Sequence, residues 1–510
     1  MRTKKIRLSY WLAFLFAGLI GSLSLGRLTA EDLRPNVLFI AVDDLNDWIG
    51  CMQGHPQSRT PHMDRLAQRG VLFTNAHCAA PVCLASRTAV FSGRYPQQTG
   101  VFSNWGDGRG KAPPKAQQLT MQLSAAGYQT LGTGKLYHSS KTAMFDEFFD
   151  TEQRWSPFSQ EQVEYTAEEL KSKGSTRPKH LIHSGPGGRD WELPLNGLPS
   201  ERNAEGNEGE SFDWGPVEVA DEEMGDTRIT NWAISQLSQR KAKPFFLGVG
   251  YYRPHIPLFA PKRDFDLLPP TEQILLPQID EHDLDDLGAE ARKVALDAIT
   301  AGTHELVVKH HQWRQAVQAY LACVTYVDRQ IGRLVAALDE SPVADNTWIV
   351  LWSDHGWQLG EKQHWGKWTS WRQSTRVPLI IVPPRGQTAV RGQSCAEPVS
   401  LVDLFPTLAE VCHLPVQDNL SGVSLVPLLS KPDQSTNRAV LTTVDEGNYA
   451  LTISGWRYLR YRGGEEELYN TETDAHEWRN LASLPEYRTQ LATMRKRLDQ
   501  VLTSSTRATR

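Results

Sequence analysis

The chain has 510 residues, 40% of them hydrophobic and 22% charged, with a formal net charge of −5. That length carries one large core plus a smaller domain, and the acidic balance argues against a general nucleic-acid binder. Six cysteines are too few for a scaffold built on disulfides.

Residues 1–30 open with a basic stretch (Arg2, Lys4, Lys5, Arg7), continue through an apolar run from Trp11 to Leu25, and end at the small residue Ala30. This pattern predicts a secretory signal and an exported protein, periplasmic or secreted, with an uncleaved anchor as the rival reading. The signal holds five Lys/Arg and no acid, so the remaining chain carries −10. An anionic substrate would have to be drawn in by a local basic pocket. No second long apolar run follows, so no stable membrane span is expected after signal removal.

The run NVLFIAVDDL (36–45) is β-branched and apolar and ends in Asp43 and Asp44. It predicts a buried strand with carboxylates at its C-terminal end. PVCLASRTAVFSGRYPQQTG (81–100) sets Cys83 four residues before Arg87, between turn-forming segments. TMQLSAAGYQTLGTGKLYH (120–138) predicts a helix closed near Gly127, then a short strand and a loop carrying Lys135 and His138. Residues 151–226 are polar, rich in Gly, Pro and Glu, and lack a clear period, which predicts an insertion folding over the site. The tryptophans at 155, 191 and 214 suit stacking on sugar faces or packing of that insertion.

PFFLGVGYYRPHIP (244–257) predicts a second buried strand, running into a Pro-rich loop with His255. QAVQAYLACVTYVDRQIGRLVAAL (315–338) has a helical period. WIVLWSDHGWQLGE (348–361) repeats the first design, an apolar strand followed by Asp354 and His355, and VPLIIVPP (377–384) is a further strand. A boundary is expected in SKPDQST (430–436), with a catalytic domain over 31–432 and a C-terminal subdomain over 433–510. In that subdomain ALTISGWRYLRYRGGEEELYN alternates like antiparallel strands, and residues 486–502 read as a closing helix.

Strands alternating with helices predict an α/β fold around a large, mostly parallel sheet. In such sheets the ligand site lies beyond the carboxyl ends of the strands, where Asp43, Asp44, His255, Asp354 and His355 all fall. Two acidic strand ends far apart in sequence suit a divalent cation, and oxygen-rich ligation favours calcium or magnesium over zinc. Taken alone, Asp43 and Asp44 would equally suit a helix cap or a solvated loop. Cys83 alone would suit a buried structural cysteine or a disulfide with Cys78. A tyrosine-phosphatase-type loop would need an arginine six positions on, where Ala89 stands. With Cys83 set aside five cysteines remain, and Cys395 with Cys412 is the expected pair.

CLASR (83–87), followed by FSGRYPQQTG, resembles the sulfatase signature and its Ser-Gly-Arg extension. The resemblance extends through NVLFIAVDDL, GTGKLYH, GYYRPHIP, SDHGWQLGE and ELYNTETDAHEWRNLA, and it is strongest to the iduronate 2-sulfatase branch. It implies an alkaline-phosphatase-like fold with a smaller C-terminal antiparallel-sheet subdomain. It also implies that a maturation enzyme oxidises Cys83 to formylglycine, whose hydrate has two geminal hydroxyls. One attacks sulfur, and the other loses its proton so that sulfate departs as the aldehyde re-forms.

The same resemblance implies that Asp43, Asp44, Asp354 and His355 hold one calcium together with residue 83, with His355 standing where many relatives have asparagine. Arg87 would steady the hydrate. Lys135 and His138 would contact hydrate and sulfate, His138 taking the second proton. His255 and Lys367 would bind sulfate, one of them protonating the leaving oxygen. His364 is a further possible substrate contact outside this set. The implied substrate is a sulfated sugar or polysaccharide, with a 2-O-sulfated uronic acid as the analogy. A phosphodiesterase or phosphonate monoester hydrolase on the same fold, a non-catalytic carbohydrate-binding relative and a plain thiol hydrolase are the alternatives.

Overall fold

The computed structural model describes residues 34–507, apart from 105–114, 139–141, most of 152–211, 240, 299–301, 386, 388–389 and 416. The signal expected over 1–30 and Trp155 lie outside the described residues.

Eight strands form the central sheet: β1 (Asn36–Val42), β2 (Val71–Phe73), β3 (Gln129–Gly134), β4 (Glu147–Phe149), β5 (Phe245–Tyr251), β6 (Thr347–Ser353), β7 (Leu379–Val382) and β8 (Gln393–Cys395). Their order is β8-β2-β7-β6-β1-β5-β3-β4. The β6-β1-β5-β3-β4 block is parallel throughout, as is the β8-β2 pair. Strand β7 runs antiparallel to both β6 and β2, so the sheet is mixed and mostly parallel.

All seven residues of β1 are buried because both of its faces are covered. Side chains alternate across a strand, so Leu38, Ile40 and Val42 enter one core while Val37, Phe39 and Ala41 enter the other. The first core is closed by helices α1 (Pro61–Arg69), α3 (Gly225–Leu237) and the long α4 (Trp313–Asp339). The second is closed by α2 (Cys83–Ser92) and α5 (Leu404–Val411). Centring β1 between two helical layers sends its acidic end, Asp43-Asp44, to the same edge as Asp354-His355 of the neighbouring β6.

A second sheet of four antiparallel strands follows: β9 (Val440–Asp445), β10 (Asn448–Ile453), β11 (Trp456–Arg460) and β12 (Glu466–Asn470). Leu491, Met494 and Leu498 of α6 (Arg488–Arg507) pack on its Leu441, Leu451, Tyr458 and Leu468. The sheet is tied to the large domain at the catalytic side. Thr442 Oγ1 donates to Cys78 O at 2.6 Å, and Thr443 N–H donates to Ala79 O at 2.8 Å. Arg457, ion-paired with Glu477, donates through Nη2 to Ser370 O at 2.6 Å.

One expectation is corrected, and two readings left open by the sequence are narrowed. Between its turn-forming segments, Cys83 is the first residue of the buried helix α2. Pro81 and Gly93 gave the segment its turn-like look, and they mark the helix's approach and its left-handed C-cap. The pair Cys395–Cys412 is not formed. All six cysteines are free thiols, and these two fill apolar core positions as small hydrophobes. Trp191 and Trp214 are 7% and 3% exposed, and Trp214 stacks on Trp365, so both serve packing. Among the described residues no helix is long and apolar enough to cross a membrane.

Candidate active site

The signature spacing is a helical one. Residues i and i+4 share a helix face, so α2 presents Cys83 and Arg87 on one side, toward the strand ends. Arg87 is fully buried, and its donors go to three segments. Nη2 bonds Asp43 Oδ1 at 3.0 Å and Nε bonds Asp354 Oδ2 at 2.9 Å, while Nη1 bonds the carbonyls of Lys135 and Leu136. Arg87 therefore clamps the ends of β1, β3 and β6 around residue 83.

The cysteine Sγ is the meeting point of the basic groups. Lys367 Nζ donates to it at 3.0 Å, His355 Nε2 lies at 3.2 Å and Lys135 Nζ at 3.6 Å. His138 also hydrogen-bonds the Cys83 side chain, and its Nδ1 is buried without a partner. Burial alone would push the thiol up, but Lys135, Lys367 and His355 outweigh it and hold Cys83 well below the ordinary value of 9.0. Position 83 also heads a helix, where the dipole favours negative charge.

Each lysine is shared with a carboxylate. Lys135 pairs with Asp43, and Lys367 bonds Asp44 Oδ1 at 2.8 Å. Lys367 also lies over the Trp357 ring, 5.6 Å from its centroid. Burial raises the Asp43 carboxyl, yet Lys135, His255 and Arg87 bring it below the usual carboxylate range. His255 keeps 16% of its side chain exposed, and its Nε2 lies 3.9 Å from Asp44 Oδ2. Its Nδ1 bonds Ile256 O. A carbonyl can only accept, so Nδ1 carries the hydrogen and Nε2 faces the centre.

Gly134 at the end of β3 makes this approach possible. It has φ 67°, and a Cβ there would fall 2.0 Å from Gly250 O of β5. Any other residue would push Lys135 away from the centre. Asp44 also adopts a left-handed conformation, φ 59°, which Asp tolerates better than most residues. The turn is held by Tyr320 of α4, whose hydroxyl donates to Asp44 O at 2.8 Å and accepts Asn46 N–H at 2.9 Å.

The residues also fit a divalent cation. One ligand atom each from Asp43, Asp44, Cys83 and His355 lie within 4.8 Å of one another. Asp44 Oδ2 is buried with no hydrogen-bond partner. His355 Nδ1 donates to Gly356 O at 3.0 Å, turning Nε2 inward. Burial would lower the imidazole, but the acids around it, Asp354 foremost, raise it to about 9. Surroundings that attract a proton to that nitrogen would equally attract a metal ion. With an oxygen in place of Sγ the donors are hard, matching calcium or magnesium.

Asp354 stands beside this cluster. Its Oδ1 accepts N–H of Asp44 at 3.2 Å and of His355 at 3.1 Å, and its Oδ2 lies 3.5 Å from His355 Nε2. Every residue expected at the site is thus brought together at one edge of the sheet. His364 is not at the centre in the same sense. It is buried, with Nδ1 on Ala295 O at 3.0 Å and Nε2 on Lys367 O at 3.1 Å, so it braces the Lys367 loop. Sequence reasoning missed Tyr320 and Ser353. Ser353 Oγ accepts Leu45 N–H at 3.0 Å and donates to His355 O at 2.9 Å. Its only signal was its place immediately before Asp354.

The sulfatase family model matches residues 35–414, and a model for the C-terminal part of N-sulphoglucosamine sulphohydrolase matches 360–504. A sulfatase of Formosa agariphila is 34% identical over 457 residues, covering 88% of this chain and 83% of that protein. Mouse iduronate 2-sulfatase is 31% identical over 450 residues, covering 80% and 74%. The solved phosphonate monoester hydrolase SpPMH of Silicibacter pomeroyi superposes with TM-score 0.70 at 20% identity, covering 92% of this chain and 96% of that one. At that identity the likeness speaks for the fold alone. The signature helix, the strand-end acids and the extent of the match agree: the chain belongs to the sulfatase family and is a sulfuric ester hydrolase.

Proposed function

We propose that the protein, exported by its N-terminal signal, hydrolyses a sulfate ester on a sulfated sugar or polysaccharide, with chemistry like that of iduronate 2-sulfatase. The observation that carries this reading is the convergence of Lys135, Lys367, His138 and His355 on the side chain of residue 83. Cys83 Sγ marks the place of a formylglycine oxygen, introduced by a maturation enzyme, and the hydrated aldehyde supplies both a nucleophile and a route for releasing sulfate. A calcium ion held by Asp43, Asp44, His355 and residue 83, with Asp354 alongside, would add positive charge at the sulfate and favour deprotonation of the attacking hydroxyl.

The chain's own residues perform the rest. Surroundings that pull a thiol below its ordinary range also favour an oxyanion at the same position. Lys135 and Lys367 are buried and face the nucleophile, so they bind sulfate oxygens where transition-state charge grows. Arg87 holds the β1, β3 and β6 ends in register for that contact. His138 accepts the proton of the second hydroxyl. His255 keeps 16% of its side chain exposed, on the side where the leaving group would point, and with the ring doubly protonated its Nε2 gives the proton to the departing sugar oxygen.

The test is turnover by mature protein of 4-nitrophenyl sulfate, 4-nitrophenyl phosphate, a phenylphosphonate monoester and a 2-O-sulfated uronate disaccharide. The sulfate esters should be turned over fastest, with the disaccharide carrying the largest kcat/KM. A phosphonate or phosphate ester turned over faster would move the protein to the phosphonate hydrolase reading. Binding of sulfated sugar without release of sulfate by matured protein would favour a non-catalytic relative.

A further inference from the structure

Asp226 is the second residue of α3 and is only 2% exposed, yet it makes no use of its charge at the surface. Its two oxygens accept consecutive backbone donors where β5 ends. Oδ1 takes Tyr252 N–H at 2.9 Å, and Oδ2 takes Arg253 N–H at 2.9 Å. The loop beyond is braced again from its far side. Arg253, 1% exposed, donates through Nε to Phe259 O at 2.6 Å and through Nη1 to His255 O at 3.5 Å. His255 N–H closes the turn on Tyr252 O at 2.9 Å.

We propose that Asp226 is a positioning residue for His255, fixing the 252–259 loop so that the imidazole Nε2 is aimed at the reacting centre. The inference rests on the proton-donor role given to His255 above. Burying a carboxylate is costly, and burial raises Asp226 to about 6 even with Arg253 and two N–H groups beside it. An apolar residue would fill the volume at less cost but would leave two adjacent buried N–H groups unpaired. Asparagine supplies one acceptor and one amide donor, so one of the two N–H groups loses its partner.

Proton donation matters most when the leaving alcohol is a poor leaving group. 4-Nitrophenolate departs without help, whereas a sugar alkoxide does not. The experiment compares mature wild-type protein, Asp226→Asn and His255→Ala on 4-nitrophenyl sulfate and on a sugar O-sulfate, with melting temperature followed in each. Both variants should lose about tenfold or more additional kcat on the sugar ester relative to the aryl ester. A purely structural defect would lower both activities alike. Equal losses on the two esters in Asp226→Asn, with His255→Ala selective, would overturn the positioning role while leaving the acid role standing. A His255→Ala protein with no selectivity would sink the acid role and this inference with it. If Asp226→Asn fails to fold, Arg253→Lys removes the brace at the other end, and unselective loss there overturns the proposal.

Discussion

The ends of β1 and β6 share one sequence design, an apolar strand followed by two polar residues, but their carboxylates do different work. Asp44 turns through a left-handed backbone and keeps Oδ2 buried and unbonded, while Oδ1 meets Lys367 at 2.8 Å and His355 Nε2 at 3.4 Å. Asp354 has both oxygens engaged, Oδ1 by two backbone N–H groups and Oδ2 by Arg87. The first has capacity left for a ligand. The second also braces Arg87, and burial raises it to about 6 even against the pull of Arg87 and His355.

The largest expected effect is at Asp44. Asp44→Asn should cut turnover of mature protein by about a thousandfold. If calcium occupies this cluster as proposed, it should raise the melting temperature of the wild type by binding the native state, and Asp44→Asn should abolish that rise. A variant whose melting temperature still climbs with calcium would break the comparison.

Asp354→Asn should behave differently. Removing one partner of the buried Arg87 should cost about 3 kcal/mol of unfolding free energy in urea, with or without calcium. Asp43 still pairs with Arg87, which keeps the loss from being larger. Stability equal to wild type would contradict the brace.

Ser353→Ala sharpens the contrast, because Ser353 links the two strand ends through Leu45 N–H and His355 O. Leaving that buried N–H unpaired should cost about 1–3 kcal/mol, measured by the same unfolding. Smallest is Trp357→Phe, which weakens the cation–π contact to Lys367 and should raise KM by about fivefold or less. An unchanged KM would mean that the carboxylate and residue 83 alone position the ammonium.

The two long apolar runs were legible because β1 and β6 are buried on both faces, which leaves a continuous hydrophobic signal. The direction of β7 was not, since hydrophobicity carries no sense of parallel or antiparallel pairing. Strands β2 and β8 are three residues each, too short for a period to declare itself. The start of α2 at Cys83 was hidden because its first turn has no polar N-cap and nearly all its residues are buried. Most of the site residues could be named because they follow strands or stand in the signature, while Lys367 was reached only through the family resemblance. Asp226, Tyr320 and Ser353 could not: Asp226 closes a segment without a clear period, the other two sit inside a helix and a strand pattern, and all three act on backbone atoms remote in sequence.

The most direct measurement is mass spectrometry of the peptide containing residue 83, taken from the same preparation whose sulfate release is assayed. Active protein should carry formylglycine there, and Cys83→Ala should fold yet release no sulfate. An unmodified cysteine in a fully active preparation, with activity lost on thiol alkylation, would contradict the mechanism and make the depressed Cys83 thiol itself the nucleophile.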